Sequence, residues 1–287
     1  MLFSELEEVL EDLSRNKQRL TVSCHAYNIL LQDDEIFEPD KKQKRSGGDP
    51  SSTLVNQLFQ NLYETAESSI WMRLSAEKEK LAERFHGQEN AEACTGAVLA
   101  LLREQLEEKA HCRQQDKDCS FFVRLSKPVL EALASDELQK DKKFYDDKVG
   151  SYLKALLEEY CALPYAERER IYYKQQLQSI ELAITSQEKL KLTLNSKKKP
   201  TGGTAAPNNI TYLKPLCIQK DTEQLYNYLV GMTSAQPGGP WGMGCVRLSS
   251  IKKLSSLKCS GFISAADRQK IAEAIQKNGV QYLPEQG

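Results

Sequence analysis

The chain is poor in the residues that carry metal and acid–base chemistry. Its three histidines, His25, His86 and His111, are scattered through 287 residues, which leaves a general-base constellation little to work with. Eight cysteines are present (Cys24, Cys94, Cys112, Cys119, Cys161, Cys217, Cys245 and Cys259), yet none falls in a C-x-x-C pair. Zinc sites normally show close ligand pairs. The expectation is reduced structural thiols, with no metal and no cofactor. Missing as well are the P-loop, G-x-S-x-G, H-E-x-x-H and the glycine-rich nucleotide fingerprint. The run "GGPWGMG", Gly238 to Gly244, is glycine-rich. It falls between two expected strands and opens no helix, so it lacks the helix N-terminus that cradles phosphate. These absences point away from an enzyme. No apolar run approaches the roughly 20 residues of a membrane span. The opening "MLFSELEEVLEDLSRNKQRL" is acidic where a signal peptide needs positive charge. The expectation is a cytoplasmic protein without a membrane partner.

Composition is ordinary for a globular chain, at 40% hydrophobic and 28% charged. The net charge of −1 hides an asymmetry: residues 188–287 hold 14 Lys and Arg against 6 Asp and Glu, the remainder 25 against 34. A basic last third beside an acidic body suggests either an anionic partner for that third or mutual solubilisation of the two parts.

The first two thirds contain a repeat. "RLTVSCHAYNIL" (Arg19 to Leu30) aligns with "FVRLSKPVLEAL" (Phe122 to Leu133), and "LVNQLFQNLYETA" from Leu54 aligns with "KVGSYLKALLEEY" from Lys148. In the second match Val55, Leu58, Phe59, Leu62 and Tyr63 fall on Val149, Tyr152, Leu153, Leu156 and Leu157, the 3.6-residue period of one buried helix face. "LSAEKEKL" (Leu74 to Leu81) echoes "LPYAERERI" (Leu163 to Ile171). Each copy reads as a short alternating strand, a short helix, a loop and a longer amphipathic helix. This layout resembles the ribbon-helix-helix superfamily, in which paired strands enter the major groove of DNA. A single strand must find a partner; the sequence leaves open whether the copies pair within one chain or across a homodimer. Alternation turns Leu20, Val22, Val123 and Leu125 inward. It turns Arg19, Thr21 and Ser23, and Phe122, Arg124 and Ser126, outward. The resemblance makes Arg19, Thr21, Ser23, Arg124 and Ser126 candidates for strand readout. Phe122 and the acidic helices around the strands do not suit a phosphate backbone. A basic loop follows at Lys41, Lys42, Lys44 and Arg45. "ENAEACTGAVLALLREQLEEKAH" spaces Ala93, Ala97, Leu101 and Leu102 as a helix face, and "ERERIYYKQQLQSIELAITSQEKL" reads as one exit helix with Ile171, Leu177, Ile180 and Ile184 as its stripe.

From Glu188 the period changes to two. "KLKLTLN" alternates leucines with Lys189, Lys191 and Thr193, a half-buried strand with a basic edge. After the loop "KKKPTGGTAAPNN" come three more strand candidates, "ITYLKPLCIQ", "QLYNYLVGM" and "GCVRLSSIKKLSSL". Strands joined by turns favour a small antiparallel barrel. A helix starting at Ser264 and stopped by Gly279 closes it. "YLKPL", "YNYLVGM" and "VRLSSI" together resemble the WYL domain, a small Sm-like or SH3-like barrel. The tryptophan of its eponymous triplet is replaced by Asn227, ahead of Tyr228 and Leu229. Tyr226, Tyr228 and Val230 are expected on one face of that strand, offering tyrosines to a ligand, opposite Leu225, Asn227, Leu229 and Gly231.

The expected fold class is α+β: a helical body with two ribbon-helix-helix-like units (1–88 and 119–187, joined by a helix at 89–118), then a WYL β-barrel with its closing helix (188–287). The order of elements, with "ERERI" and "YNYLV", resembles the WYL accessory proteins of type VI-D CRISPR systems. That resemblance implies a non-catalytic accessory that binds single-stranded RNA or another nucleic acid, enhances an RNA-guided ribonuclease and forms a homodimer. Candidate contacts are Tyr212, Lys214, Tyr228, Arg247, Lys252 and Lys253, tyrosines to stack on bases and cations to hold phosphates. The alternatives are a ligand-sensing DNA-binding transcriptional regulator and a protein-binding scaffold.

Overall fold

The two alternating segments of the repeat pair with each other inside one chain. β1 (Lys17–Ser23) and β2 (Asp118–Arg124) form an antiparallel ribbon with Leu20 opposite Phe121 and Thr21 opposite Ser120. This is seen in a computed structural model that describes residues 1–37, 48–63, 70–87, 90–111, 118–195 and 210–283 (backbone alone for 70–73, 106–111 and 137). The basic patch Lys41, Lys42, Lys44 and Arg45, the loop Lys197 to Asn209, and Cys112 lie outside the described residues. The chain divides into two compact units, Met1–Leu163 and Pro164–Gly287.

In the first unit α1 (Leu6–Glu11) precedes the ribbon. In the first copy β1 runs into α2 (Cys24–Phe37), followed by α3 (Ser52–Tyr63). In the second copy β2 runs into α6 (Lys127–Leu133), a short α7 (Asp136–Gln139) and α8 (Val149–Cys161). The packing is reciprocal. α8 lies against β1 and α2, while α3 lies against β2 and α6, so each copy's long helix covers the other copy's strand. The reason is burial: Leu20, Val22, Phe121 and Val123 form an apolar strip on one side of a two-stranded ribbon, which cannot shield it alone. Leu54, Leu58 and Phe59 from one side and Val149, Tyr152 and Leu153 from the other supply the cover, all of them buried. Tyr152 packs its ring edge-on against Phe3, Phe59 and Tyr145.

Polar contacts fix the helix starts. Ser23 was expected to face outward, but it is 6% exposed. Its backbone N–H and its hydroxyl both donate to Glu158, at 2.6 and 2.9 Å, so the strand turns its last residue inward to seat α2. Ser126 is the cap residue of α6, its N–H bonded to Asn56.

Between the copies lie α4 (Ile70–Arg84) and α5 (Ala91–His111), packed on each other. Most of the expected apolar face of α5 is open: Ala93 and Ala97 are exposed and Leu101 is 62% exposed, while Leu102 is half-buried and Thr95 is buried. α5 packs on α4, and its Arg103 also lies over the Phe144 ring, 5.5 Å from the centroid.

The second unit begins with α9 (Tyr165–Tyr172) and α10 (Lys174–Thr185). The single exit helix read from the sequence is broken at Tyr173, which is buried with φ −92° and ψ 20°. The strands are β3 (Glu188–Leu194), β4 (Ile210–Lys220), β5 (Asn227–Ser234), β6 (Gly242–Arg247) and β7 (Ile251–Ser260). They form a five-stranded antiparallel sheet in the order β6-β5-β4-β3-β7. The expected closed barrel is not formed by this hydrogen-bond ladder. "GCVRLSSIKKLSSL" is two strands, because a 3₁₀ turn at Leu248–Ser250 carries the chain from one edge of the sheet to the other. A bulge between Pro215 and Cys217 bends β4, as suits a residue without an N–H to give the ladder. Opposite it, Gly231 is needed for close approach: a Cβ there would lie 2.0 Å from the Lys214 carbonyl oxygen.

Finally α11 (Ala265–Asn278) starts at Ser264, whose hydroxyl accepts the Asp267 N–H at 3.1 Å, and stops at Gly279 with φ 87°. Its Ile271 packs with Tyr228, Val230 and Cys245. The expectation that Tyr228 is offered to a ligand therefore fails. Both faces of β5 are buried, and Tyr228 is 8% exposed beneath α11 and the turn after it.

Candidate nucleic-acid interface

One face of the sheet collects cations and aromatic rings. In β3, Leu190 and Leu192 are fully buried, which leaves Lys189, Lys191 and Thr193 on the other side. Lys191 stands opposite Tyr212 of β4 and Ser255 of β7, and Thr193 stands opposite Lys253. Lys214 continues the row on β4, opposite Met232, which in turn pairs with Met243 at the β6 edge. Trp241 is the centre of the patch. The Lys214 Nζ lies 4.8 Å and the Lys189 Nζ 5.5 Å from its ring centroid, within the range of cation–π attraction. Lys189, Lys191, Lys214, Tyr212 and Trp241 are all half-buried, and Lys253 is exposed. Lys252 is exposed too, but alternation turns it to the other side of β7.

A second cluster is built around Glu169 of α9. This fully buried carboxylate accepts the N–H of Asn227 at 3.0 Å, the Asn227 side-chain amide at 2.8 Å and the N–H of Ser249 at 3.0 Å. It thereby ties α9 to the start of β5 and to the 3₁₀ turn after β6. One helical turn earlier, Tyr165 meets Tyr226 edge-on, at 5.3 Å between centroids. Arg247, at the end of β6 and opposite Tyr228, places its guanidinium carbon 3.6 Å from the Tyr226 ring centroid and 5.8 Å from that of Tyr165. One Arg247 nitrogen donates to the Tyr165 hydroxyl at 3.4 Å, and its Nε is buried with no hydrogen-bond partner among the described residues. Burial pushes the Arg247 guanidinium down, but its hydrogen bond to Tyr165 and the charge of Glu169 outweigh that and the net shift is upward. Burial drives the Tyr165 phenol up to about 12, with the Glu169 charge adding to it and hydrogen bonds from Arg247 and Ser249 partly offsetting it. Arg247 is thus a cation held between two tyrosine rings.

In the first unit the outward ribbon face carries Lys17, Arg19, Phe122 and Arg124, all exposed, with Thr21 and Ser120 between them. Arg19 donates to the Ser120 hydroxyl at 3.2 Å, Thr21 and Ser120 share a 2.9 Å hydrogen bond, and the Lys17 ammonium sits 4.3 Å from the Phe122 ring centroid.

Of the residues singled out in the sequence, Tyr212, Lys214 and Lys253 come together on the sheet face. Arg247 belongs to the Glu169 cluster, Tyr228 to the core, and Arg19, Thr21 and Arg124 to the ribbon. Sequence reasoning missed Trp241, which lies in the glycine-rich run between strands, and missed Tyr165 and Glu169. A signal for the last two existed: a spacing of four on a helix puts both on one face.

No family model matches the chain, and no curated protein matches it. A solved structure described as a CRISPR Cas-related protein is similar in fold, with a TM-score of 0.67 at 19% identity. The match covers 92% of this chain and 72% of that one, and at this identity it shows a shared fold.

Proposed function

We propose that the protein is a non-catalytic RNA-binding accessory of a CRISPR system, built on a WYL-like sheet and an intrachain ribbon-helix-helix-like pair, that enhances an RNA-guided ribonuclease. The observation that carries this reading is the sheet face around Trp241. There, Lys189, Lys191 and Lys214 surround an indole and a tyrosine. Rings stack on unpaired bases of any sequence for about 1–3 kcal/mol each, and ammoniums hold the phosphates between them. A duplex keeps its bases stacked inside, so this face favours a single strand. The shared fold with a CRISPR Cas-related protein supports the choice of system.

The test is equilibrium binding of labelled unstructured RNA, duplex RNA and duplex DNA over a salt series. Single-stranded RNA should bind most tightly. Changing Lys189, Lys191 and Lys214 together to Ala should reduce the slope of log affinity against log salt by about 2, at about 0.7 per phosphate contact. Equal or negligible affinity for all three nucleic acids refutes the reading. Added to an RNA-guided CRISPR ribonuclease, the wild-type protein should raise the cleavage rate and the triple variant should not.

A second reading, a DNA-binding regulator, is favoured by the ribbon face alone, where Arg19 and Arg124 flank Thr21 and Ser120. It requires a sequence-specific footprint on duplex DNA that Arg19→Ala or Arg124→Ala abolishes.

A further inference from the structure

The structure separates the cysteines by their surroundings. Cys161 and Cys245 are buried, Cys217 is half-buried, and Cys94 and Cys259 are exposed. Cys24 and Cys119, both partly exposed, are in contact: their Sγ atoms are 2.6 Å apart. The ladder explains the contact. Cys119 stands opposite Val22, and Cys24 follows Ser23 at the end of β1, where the chain turns into α2. The two thiols are diagonal neighbours across the end of the ribbon. A sulfur–sulfur bond is about 2.05 Å long, so a sub-ångström approach is all that bonding asks of this pair.

We infer that Cys24 and Cys119 are a redox modification site, closed to an intrachain disulfide by a low-molecular-weight disulfide. In the first step the thiolate of one cysteine attacks the small disulfide, forming a mixed disulfide and expelling one small thiol. In the second, the thiolate of the other cysteine attacks the protein sulfur of that mixed disulfide and expels the second small thiol. The protein gives up two electrons and two protons, and the small disulfide is reduced to two thiols. Partial exposure lets the reagent in, and contact makes the second step intramolecular. The crosslink joins residues 95 apart in sequence and fastens the first copy's helix α2 to the second copy's strand. That is the long-range pairing on which the ribbon depends, so oxidation locks the two copies in register.

The experiment maps thiols in the folded full-length protein. Oxidised glutathione is titrated until Cys94 or Cys259 is converted. Remaining thiols are blocked with iodoacetamide, and unreduced peptides are identified by mass spectrometry. Expected is a linked pair of peptides carrying Cys24 and Cys119, lighter by two hydrogens than the sum of its parts, while Cys94 and Cys259 hold glutathione. Amide exchange in β1 and β2 should slow in the oxidised protein. In Cys24→Ser, Cys119 should retain glutathione because the Cys24 thiol that displaces it is gone. Recovery of Cys24 and Cys119 as separate, unlinked peptides from the wild type, at the oxidant level that converts Cys94 or Cys259, overturns the inference without any variant having to fold.

Discussion

Replacing Glu169 by glutamine is a near-isosteric change with a large expected effect on the second unit. The Glu169 carboxylate serves three N–H donors, two on Oε2 and one on Oε1. A glutamine presents one oxygen and one NH₂ group. If its oxygen faces Asn227, its NH₂ meets the Ser249 N–H donor to donor; reversed, it meets both Asn227 donors. At least one buried N–H is stranded, which costs about 1–3 kcal/mol, and the surviving bonds lose the charge that makes such bonds worth about 1.5–3 kcal/mol instead of about 1. The more favourable orientation therefore predicts a loss of about 2–4 kcal/mol. The assay is urea unfolding followed by Trp241 fluorescence in a Trp71→Phe background, since these are the two tryptophans of the chain. With a urea dependence of about 2 kcal/mol per molar, the midpoint should fall by about 1–2 M. A shift below about 0.3 M would refute the claim that Glu169 fastens α9 to the sheet.

Three further outcomes follow from particular contacts. Gly231→Ala would put a methyl group 2.0 Å from the Lys214 carbonyl oxygen. A backbone atom can yield only if the strands part, so unfolding should show a loss of at least about 1–3 kcal/mol; wild-type stability contradicts the bulge geometry. The folded Tyr165 phenol, raised to about 12 from an ordinary value of about 10, keeps its proton where the unfolded chain releases it. The second unit should therefore keep this stability below pH 10 and lose it as pH rises through about 12. The Trp241-reported midpoint of Tyr165→Phe should decline less steeply over that window, and an equal decline would show that Tyr165 is not the group responsible. Trp241→Ala should weaken single-stranded RNA binding by about 1–3 kcal/mol, roughly 5–150-fold, in a filter-binding titration; unchanged affinity would remove the indole from the interface.

Much of this architecture was legible in one dimension because its signals are local. The period-two run at Lys189 to Asn195, the 3.6-residue periods from Leu54 and Lys148, and the cap at Ser264 each depend on residues a few positions apart. They appear as β3, α3, α8 and α11. The misreadings arose where a neighbour distant in sequence decided. Alternation alone turns Ser23 outward, and Glu158, 135 residues away, turns it in. Alternation also offers Tyr228 to solvent, and α11 covers it. The 3.6-residue spacing puts Ala93, Ala97, Leu101 and Leu102 on one face of α5, yet the first three are exposed and Leu102 is half-buried.

The sequence by itself determined the duplication in the first part and the concentration of lysine in the last, since repetition and charge belong to the chain whatever its fold. Tertiary structure alone decided that the two copies pair with each other, that Cys24 touches Cys119, and that Trp241 gathers Lys189 and Lys214. Those outcomes depend on which distant surfaces bury one another, and spacing along a chain does not contain that choice.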